Sequence, residues 1–318
     1  MVAATLVAFL LGAATMARPG VWGNFTSAAP DAGNSITAAT DFRAPTASAS
    51  AIGKTAGGIA GSIKKGGTYY VYANVSDTGN PASGVSKVTA NVSSITSGST
   101  AVALSSGSFS AGGVSYNYRS ASLTAGSTLA AGSYSYSLTL TDVAGNSATQ
   151  SGFSVSVDNT VPTGTDVQTT NGGSIAGRAD AGDKITFTFS SEVDPNSILA
   201  GWNSGSTNVV VRLNNATNDT VTIFNSTNAT QLPLGSISLG RSDYTTANIT
   251  FGATGTASTM VMSGSTVTIT LGTQSAAATT AAATGTMAWT PSATVTDGAG
   301  NALSTTAVNE SGTADKDF

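Results

Sequence analysis

The stretch "TDVAGNSA" at residues 141–148 returns as "TDGAGNAL" at 296–303, so an acid followed at fixed spacing by glycine and asparagine is written twice in one chain. Two kinds of chemistry fit these residue types. Carboxylate and amide oxygens can ligate a hard cation such as calcium, which takes six to eight oxygens and needs neither histidine nor cysteine. Alternatively the aspartate closes a turn with its own side chain, the glycine supplies a positive φ and the asparagine tolerates the left-handed region. Acid–base work is the weaker prospect. Glu192 with Asp194, and Asp180 with Asp183, are closely spaced acids, but a glycosidase needs two acids facing across a sugar cleft, and nothing in the chain indicates one. Histidine and cysteine are both absent, which removes the usual base near neutral pH, the Ser-His-Asp relay, thiol nucleophiles and cysteine-based zinc sites. The chain is therefore expected to be non-catalytic.

The elements that must carry these residues are strands. "TYYVYANV" places Tyr69, Val71, Ala73 and Val75 on one face, "YSYSLTLT" gives Tyr134, Tyr136, Leu138 and Leu140, and "FSVSV" gives Phe153, Val155 and Val157. A period of two marks half-buried strands, and turn clusters such as "SDTGNPASG" and "SAGG" separate them. In the second half "GDKITFTFSSEVDPNSI" alternates through Ile185, Phe187 and Phe189. Further strands are expected at "NVVVRL", "TVTIF", "GSISLG", "TVTITL" and "SATVT", and a mobile loop at "TQSAAATTAAATGT", residues 273–286. No segment holds a helical period. With 318 residues the chain has room for two domains, and the polar "NTVPTGTD" around Pro162 marks their boundary.

Composition narrows the partners. Only 9% of residues are charged, against about 25% in typical soluble chains. Twelve basic and sixteen acidic residues give a net charge of −4 without a basic run, so nucleic acid is not expected as a partner. At the start, Val2–Leu11 is apolar over the length of a signal-peptide core and too short to span a bilayer, so the membrane enters only through export. Nine Asn-x-Ser/Thr sequons, among them Asn215, Asn218, Asn225 and Asn228, follow from the Asn/Ser/Thr-rich composition.

Three resemblances sharpen this outline. Residues 20–42, "GVWGNFTSAAPDAGNSITAATDF", are similar to the post-signal region of camelysin-like exported bacterial matrix proteins, through Phe25, Gly33, Asn34, Ser35, Ile36, Thr37, Ala38, Thr40 and Asp41. The "DVAGN" turn combined with Val157, Asp158, Asn159, Thr160 and Pro162 resembles bacterial immunoglobulin-like domains of surface proteins and adhesins. The opening of the second half looks like another bacterial Ig-like class, with Ser191 and Glu192 displaced from that pattern. Together these imply an all-β chain: a signal and leader over 1–43, an Ig-like β-sandwich over 44–162 and a larger one over 163–318.

In an immunoglobulin topology the loops after the second and sixth strands share one end of the sandwich. That places Asp77 beside Asp142, and groups Glu192 and Asp194 with Asp297, to which Asp158 comes across the junction. These six are the candidate metal residues, with calcium as the ion that the adhesin resemblance suggests. Tyr70, Tyr72 and Tyr118 are the outward-facing candidates for a glycan platform, whereas Trp202 and Trp289 are expected to pack inside the second domain. The function expected from the resemblances is that of a secreted or cell-surface, extracellular-matrix or adhesion spacer, whose partners are surface or matrix components and which self-associates if it polymerises. The alternatives are a glycan-binding module, an accessory portion of a secreted enzyme and a fibre-forming subunit.

Overall fold

In a computed structural model, residues 41–79 and 81–318 are described; the expected signal core at Val2–Leu11 and nearly all of the leader lie outside them. The described chain is almost wholly β. Its first half carries β1 (Thr46–Lys54), β2 (Ser62–Ile63), β3 (Thr68–Ser76), β4 (Val85–Asn91), β5 (Val102–Ala111), β6 (Val114–Ser120), β7 (Leu123–Thr124), β8 (Gly132–Asp142) and β9 (Ser147–Val157). β1, β3, β6 and β5 form one layer, and β4, β8, β9 and β2 the other. They join through β5, whose start pairs with β4 and whose remainder pairs with β6.

Alternation decides which side chains lie between the layers. Tyr69, Val71, Ala73 and Val75 of β3 meet Tyr136, Leu138 and Leu140 of β8 and Val155 and Val157 of β9 in one apolar core. Each buried valine or leucine among them contributes roughly 1.5–3 kcal/mol by leaving water. The first strand changes layers partway: β1 runs antiparallel to β3, and after a glycine-rich stretch β2 runs parallel to β9. Gly57, Gly58 and Gly61 make that crossing with positive φ angles of 77°, 82° and 93°, a region open to glycine and costly for other residues. Lys54 is the last residue before the crossing, so the layer change throws a lysine and a glycine-rich tongue, residues 55–61, beyond the end of the sheet.

The second half holds β10 (Gly164–Thr170), β11 (Lys184–Phe189), the single-turn helix α1 (Pro195–Ile198), β12 (Thr207–Asn214), β13 (Thr220–Asn225), β14 (Gln231–Ser238), β15 (Ile249–Phe251), β16 (Ser258–Ser263), β17 (Thr266–Thr270), β18 (Ala288–Thr290) and β19 (Val308–Asn309). Its sheet order is β10-β11-β17-β16-β12-β13-β14-β18-β19, with β15 paired to β12. The core is separate from that of the first half and centres on Trp289, which is fully buried and set edge-on to Phe187 and Phe189 at 5.1 and 5.3 Å. Its indole N–H donates to the Leu234 carbonyl at 2.7 Å, which satisfies the one polar atom in an apolar setting. Trp202 is likewise buried.

Three local expectations are corrected. "SATVT" forms no strand: the strand lies earlier, at β18, and Val295 is buried in a turn that passes through isolated bridges to Asp297 and Ala302. The alanine-rich segment 273–286 is fastened, because Ala278 and Ala281 enter the core and the N–H groups of Ser275, Thr279 and Ala281 bond the carbonyls of Thr250, Tyr244 and Gly177. Small side chains let that backbone approach the core closely, so alanine content here signals packing. Among the tyrosines, Tyr72 is buried against Ala111 and Tyr116, and Tyr70 and Tyr118 are half-buried. The Arg119 guanidinium lies over the Tyr70 and Phe109 rings at 4.3 and 4.4 Å, so those ring faces are covered.

Candidate functional site

The repeated turn is built identically twice. In the first sandwich the Asp142 N–H donates to the Asn146 carbonyl at 3.0 Å, and the Asn146 N–H and side-chain amide return bonds to the Asp142 carboxylate, both at 2.7 Å. In the second, Asp297 N–H donates to the Asn301 carbonyl at 3.1 Å, and Asn301 returns the same two bonds at 2.8 Å. Gly145 and Gly300 close the turns with φ of 95° and 93°. The duplication extends to the incoming chain: the Asn146 amide also donates to the Asp41 carbonyl at 3.1 Å, and the Asn301 amide to the Asp158 carbonyl at 3.0 Å. Asp41 and Asp158 each stand where the chain enters a sandwich, and each is stapled to that sandwich's turn. The leader reading hid Asp41; its signal was the spacing of "TDFRAP" before the first sandwich, which parallels "VDNTVP" before the second.

The two copies differ in what faces the carboxylates. At the first, Asp41, Asp77 and Asp142 each offer an oxygen, and these lie within 4.8 Å of one another. The Asp77 carboxylate accepts from the N–H groups of Gly79 and Gly84 at 3.2 and 2.7 Å. Asp41 accepts from Arg43 and Ser83 N–H at 2.9 Å each, and these backbone donors hold its carboxyl down to about 2. Asp142 is buried and Asp77 half-buried. No ion pair to these three acids occurs among the described residues. Three converging oxygens of this kind could hold a hard divalent cation.

At the second copy an ammonium takes that place. Lys54, 7% exposed, reaches out of the first sandwich and sets its Nζ 2.6 Å from Asp194 Oδ2, which is 2% exposed. Nζ also donates to the Asp297 carbonyl at 2.7 Å and to Thr296 Oγ1 at 3.2 Å. Asp194 Oδ2 has Lys54 as its one polar partner; Oδ1 caps α1 through the Asn196 N–H at 3.0 Å. The tongue follows the lysine in. A Cβ on Gly58 would fall 2.0 Å from Asp194 Oδ2, and one on Gly298 3.2 Å from Ile59. The sequence offered no local sign of this contact, since a lone lysine before a glycine-rich loop has no pattern of its own.

Of the six acids expected to gather as metal residues, the structure brings Asp77 to Asp142 and Asp194 to Asp297. Asp158 reaches the second copy through its carbonyl, while its carboxylate accepts from Thr160 N–H at 2.9 Å. Glu192 is exposed and lines a groove of about 550 Å³ between the sandwiches, with Asn196, Trp202 and Asn203. Asp180 and Asp183 pin the loop at 172–174 by accepting its backbone N–H groups, which is a turn-holding role. Compared with protein-family models, with curated proteins and with solved structures, the chain matches none.

Proposed function

We propose that this chain is an exported, non-catalytic spacer of a bacterial surface or matrix, made of two Ig-like sandwiches held at a fixed angle. The observation that carries the reading is the joint. A buried ion pair, a tongue that only glycine can form and the Asn301 staple all bear on one interface. Such a contact resists rotation and offers no reactive group, which suits a rod better than a catalyst. The Ig-like reading draws support from the layer switch of the first strand and its parallel pairing with the last, together with the resemblance of the "DVAGN" and "VDNTVP" segments. Export and surface location rest on the apolar start and the resemblance to exported matrix proteins.

Inter-sandwich distances measured by small-angle scattering test the rod. The unmodified chain should keep one narrow distance distribution, and Lys54→Met should broaden it; equal widths would remove the basis for the spacer. Calcium is the alternative occupant of the Asp41–Asp77–Asp142 end, since at the joint the ammonium of Lys54 already supplies the positive charge. A thermal melt with millimolar calcium, against the same melt with chelator, tests that ion by the stability a ligand of the folded state must add.

A further inference from the structure

The repeated turn makes the second copy a worked instance of what the first can accept. We infer that the Asp41–Asp77–Asp142 end of the first sandwich is a docking face for another β-sandwich, whose tongue carries an ammonium into the three acids as Lys54 enters the second copy.

Four observations carry this. The turn, its asparagine latch and the staple to the incoming chain are the same at both ends, with matched hydrogen bonds. At the second copy the turn supplies the Asp297 carbonyl and the Thr296 hydroxyl, and Asp194 beside it supplies the carboxylate, that together hold the Lys54 ammonium. In the first copy the corresponding acids lie together with no cationic side chain among the described residues. Finally, that end exposes apolar surface: Phe42 is 80% exposed and Val143 69%. Val143 occupies the turn position that Gly298 holds in the second copy, where Ile59 of the tongue covers it. Adjacent carboxylates and exposed apolar groups fit a partner that brings one ammonium and one aliphatic side chain, as Lys54 and Ile59 do. A bare ion would satisfy the acids and leave Phe42 and Val143 in water. The partner's chemistry follows: a strand ending in lysine, a glycine-rich crossing and a branched aliphatic residue.

The chain supplies its own probe, a synthetic peptide of residues 51–62, "AIGKTAGGIAGS". The side-chain amides of Asn146 and Asn301 report the two ends separately by nuclear magnetic resonance. With the intact chain the peptide should move the Asn146 signals and leave Asn301 unmoved, because Lys54 already fills the second seat. With the Lys54→Ala chain, whose own tongue still covers Gly298 through Ile59, it should again move Asn146 and leave Asn301 unmoved. A peptide carrying glutamine for the lysine should bind about tenfold more weakly, the loss of roughly one charge-assisted bond. Asp77→Asn should reduce the Asn146 response and spare Asn301, a control that holds even if Lys54→Ala fails to fold. The inference is overturned if the peptide leaves Asn146 unmoved, and equally if calcium moves Asn146 and the peptide does not. It rests on the joint being a lysine seat, which stability coupling between Lys54 and Asp194 tests apart from the peptide.

Discussion

The acid end of the first sandwich and the acid seat at the joint share a turn, a latch and a staple, and differ in what meets them: at the joint the Asp297 carbonyl accepts from the Lys54 ammonium, and at the other end the Asp142 carbonyl accepts from the Ser86 hydroxyl at 2.6 Å. At the joint a lysine from the neighbouring sandwich neutralises Asp194; at the other end three carboxylates stand without a cation among the described residues. The shared part is architecture. Aspartate, glycine and asparagine close the turn because its geometry requires an acceptor, a positive φ and a donor, whether or not anything docks. The differing part is where function enters: the three carboxylates of the first end are held by backbone and amide N–H donors and carry no cation among the described residues, so a positive group brought to them meets three negative charges already in place.

The largest effect should come from removing the counter-charge. Lys54→Ala strands the buried Asp194 carboxylate and should cost about 3–5 kcal/mol in a denaturant titration, the usual penalty for breaking one side of a buried pair. Lys54→Arg should recover little of this, because a wider planar guanidinium meets a seat shaped by Asp194, Asp297 and Thr296 around a point charge.

A pH scan sharpens the comparison by setting the first acid end against the far edge of the second sandwich. There Asp317 is buried, accepts from Tyr244 at 3.0 Å and lies near Glu310 and Asp315; burial, reinforced by Glu310, pushes its carboxyl up to about 7. A folded pKa above the unfolded value means the folded state binds the proton more tightly. Its contribution is complete below about pH 4 and is lost as pH rises to about 7, an effect on the order of 4 kcal/mol. Asp317→Asn should flatten that slope, and an unchanged slope would show that Asp317 is already ionised. Asp41 behaves oppositely: its carboxyl is held down to about 2, so its contribution is present above about pH 4 and fades as pH falls toward 2.

Smaller changes separate turn from tongue. Gly58→Ala adds a Cβ against Asp194 at a positive φ and should cost about 1–3 kcal/mol, with the damage confined to the joint. Asn146→Ala and Asn301→Ala each remove a latch and a staple. Each should cost about 1–3 kcal/mol in thermal melts, and near-equal losses would confirm that the two turns are one motif.

Strand placement was legible because alternation survives in a single sequence: Tyr69 to Val75, Leu138 and Leu140, and Ile185 to Phe189 all face their cores. The two turns were legible for the same local reason. What escaped was contact made over distance. Lys54 meets Asp194 only because β1 changes layers, a consequence of pairing across the whole first sandwich. Asp41 belongs to the site through a carbonyl, which any residue could supply, and through a carboxylate that only the fold brings to Asp77 and Asp142. "SATVT" has the composition of a strand yet lacks a partner along its length, so it turns instead. Segment 273–286 reads as loose by composition and is held by backbone bonds that no side-chain pattern announces.

The most direct test of the account is a double-mutant cycle between Lys54 and Asp194, using Lys54→Met and Asp194→Asn with stability measured by denaturant. A lysine seat that locks the sandwiches predicts a coupling of about 2 kcal/mol or more, with the double variant more stable than the sum of the single losses. Additive losses would contradict it, and the joint would then be held by packing alone.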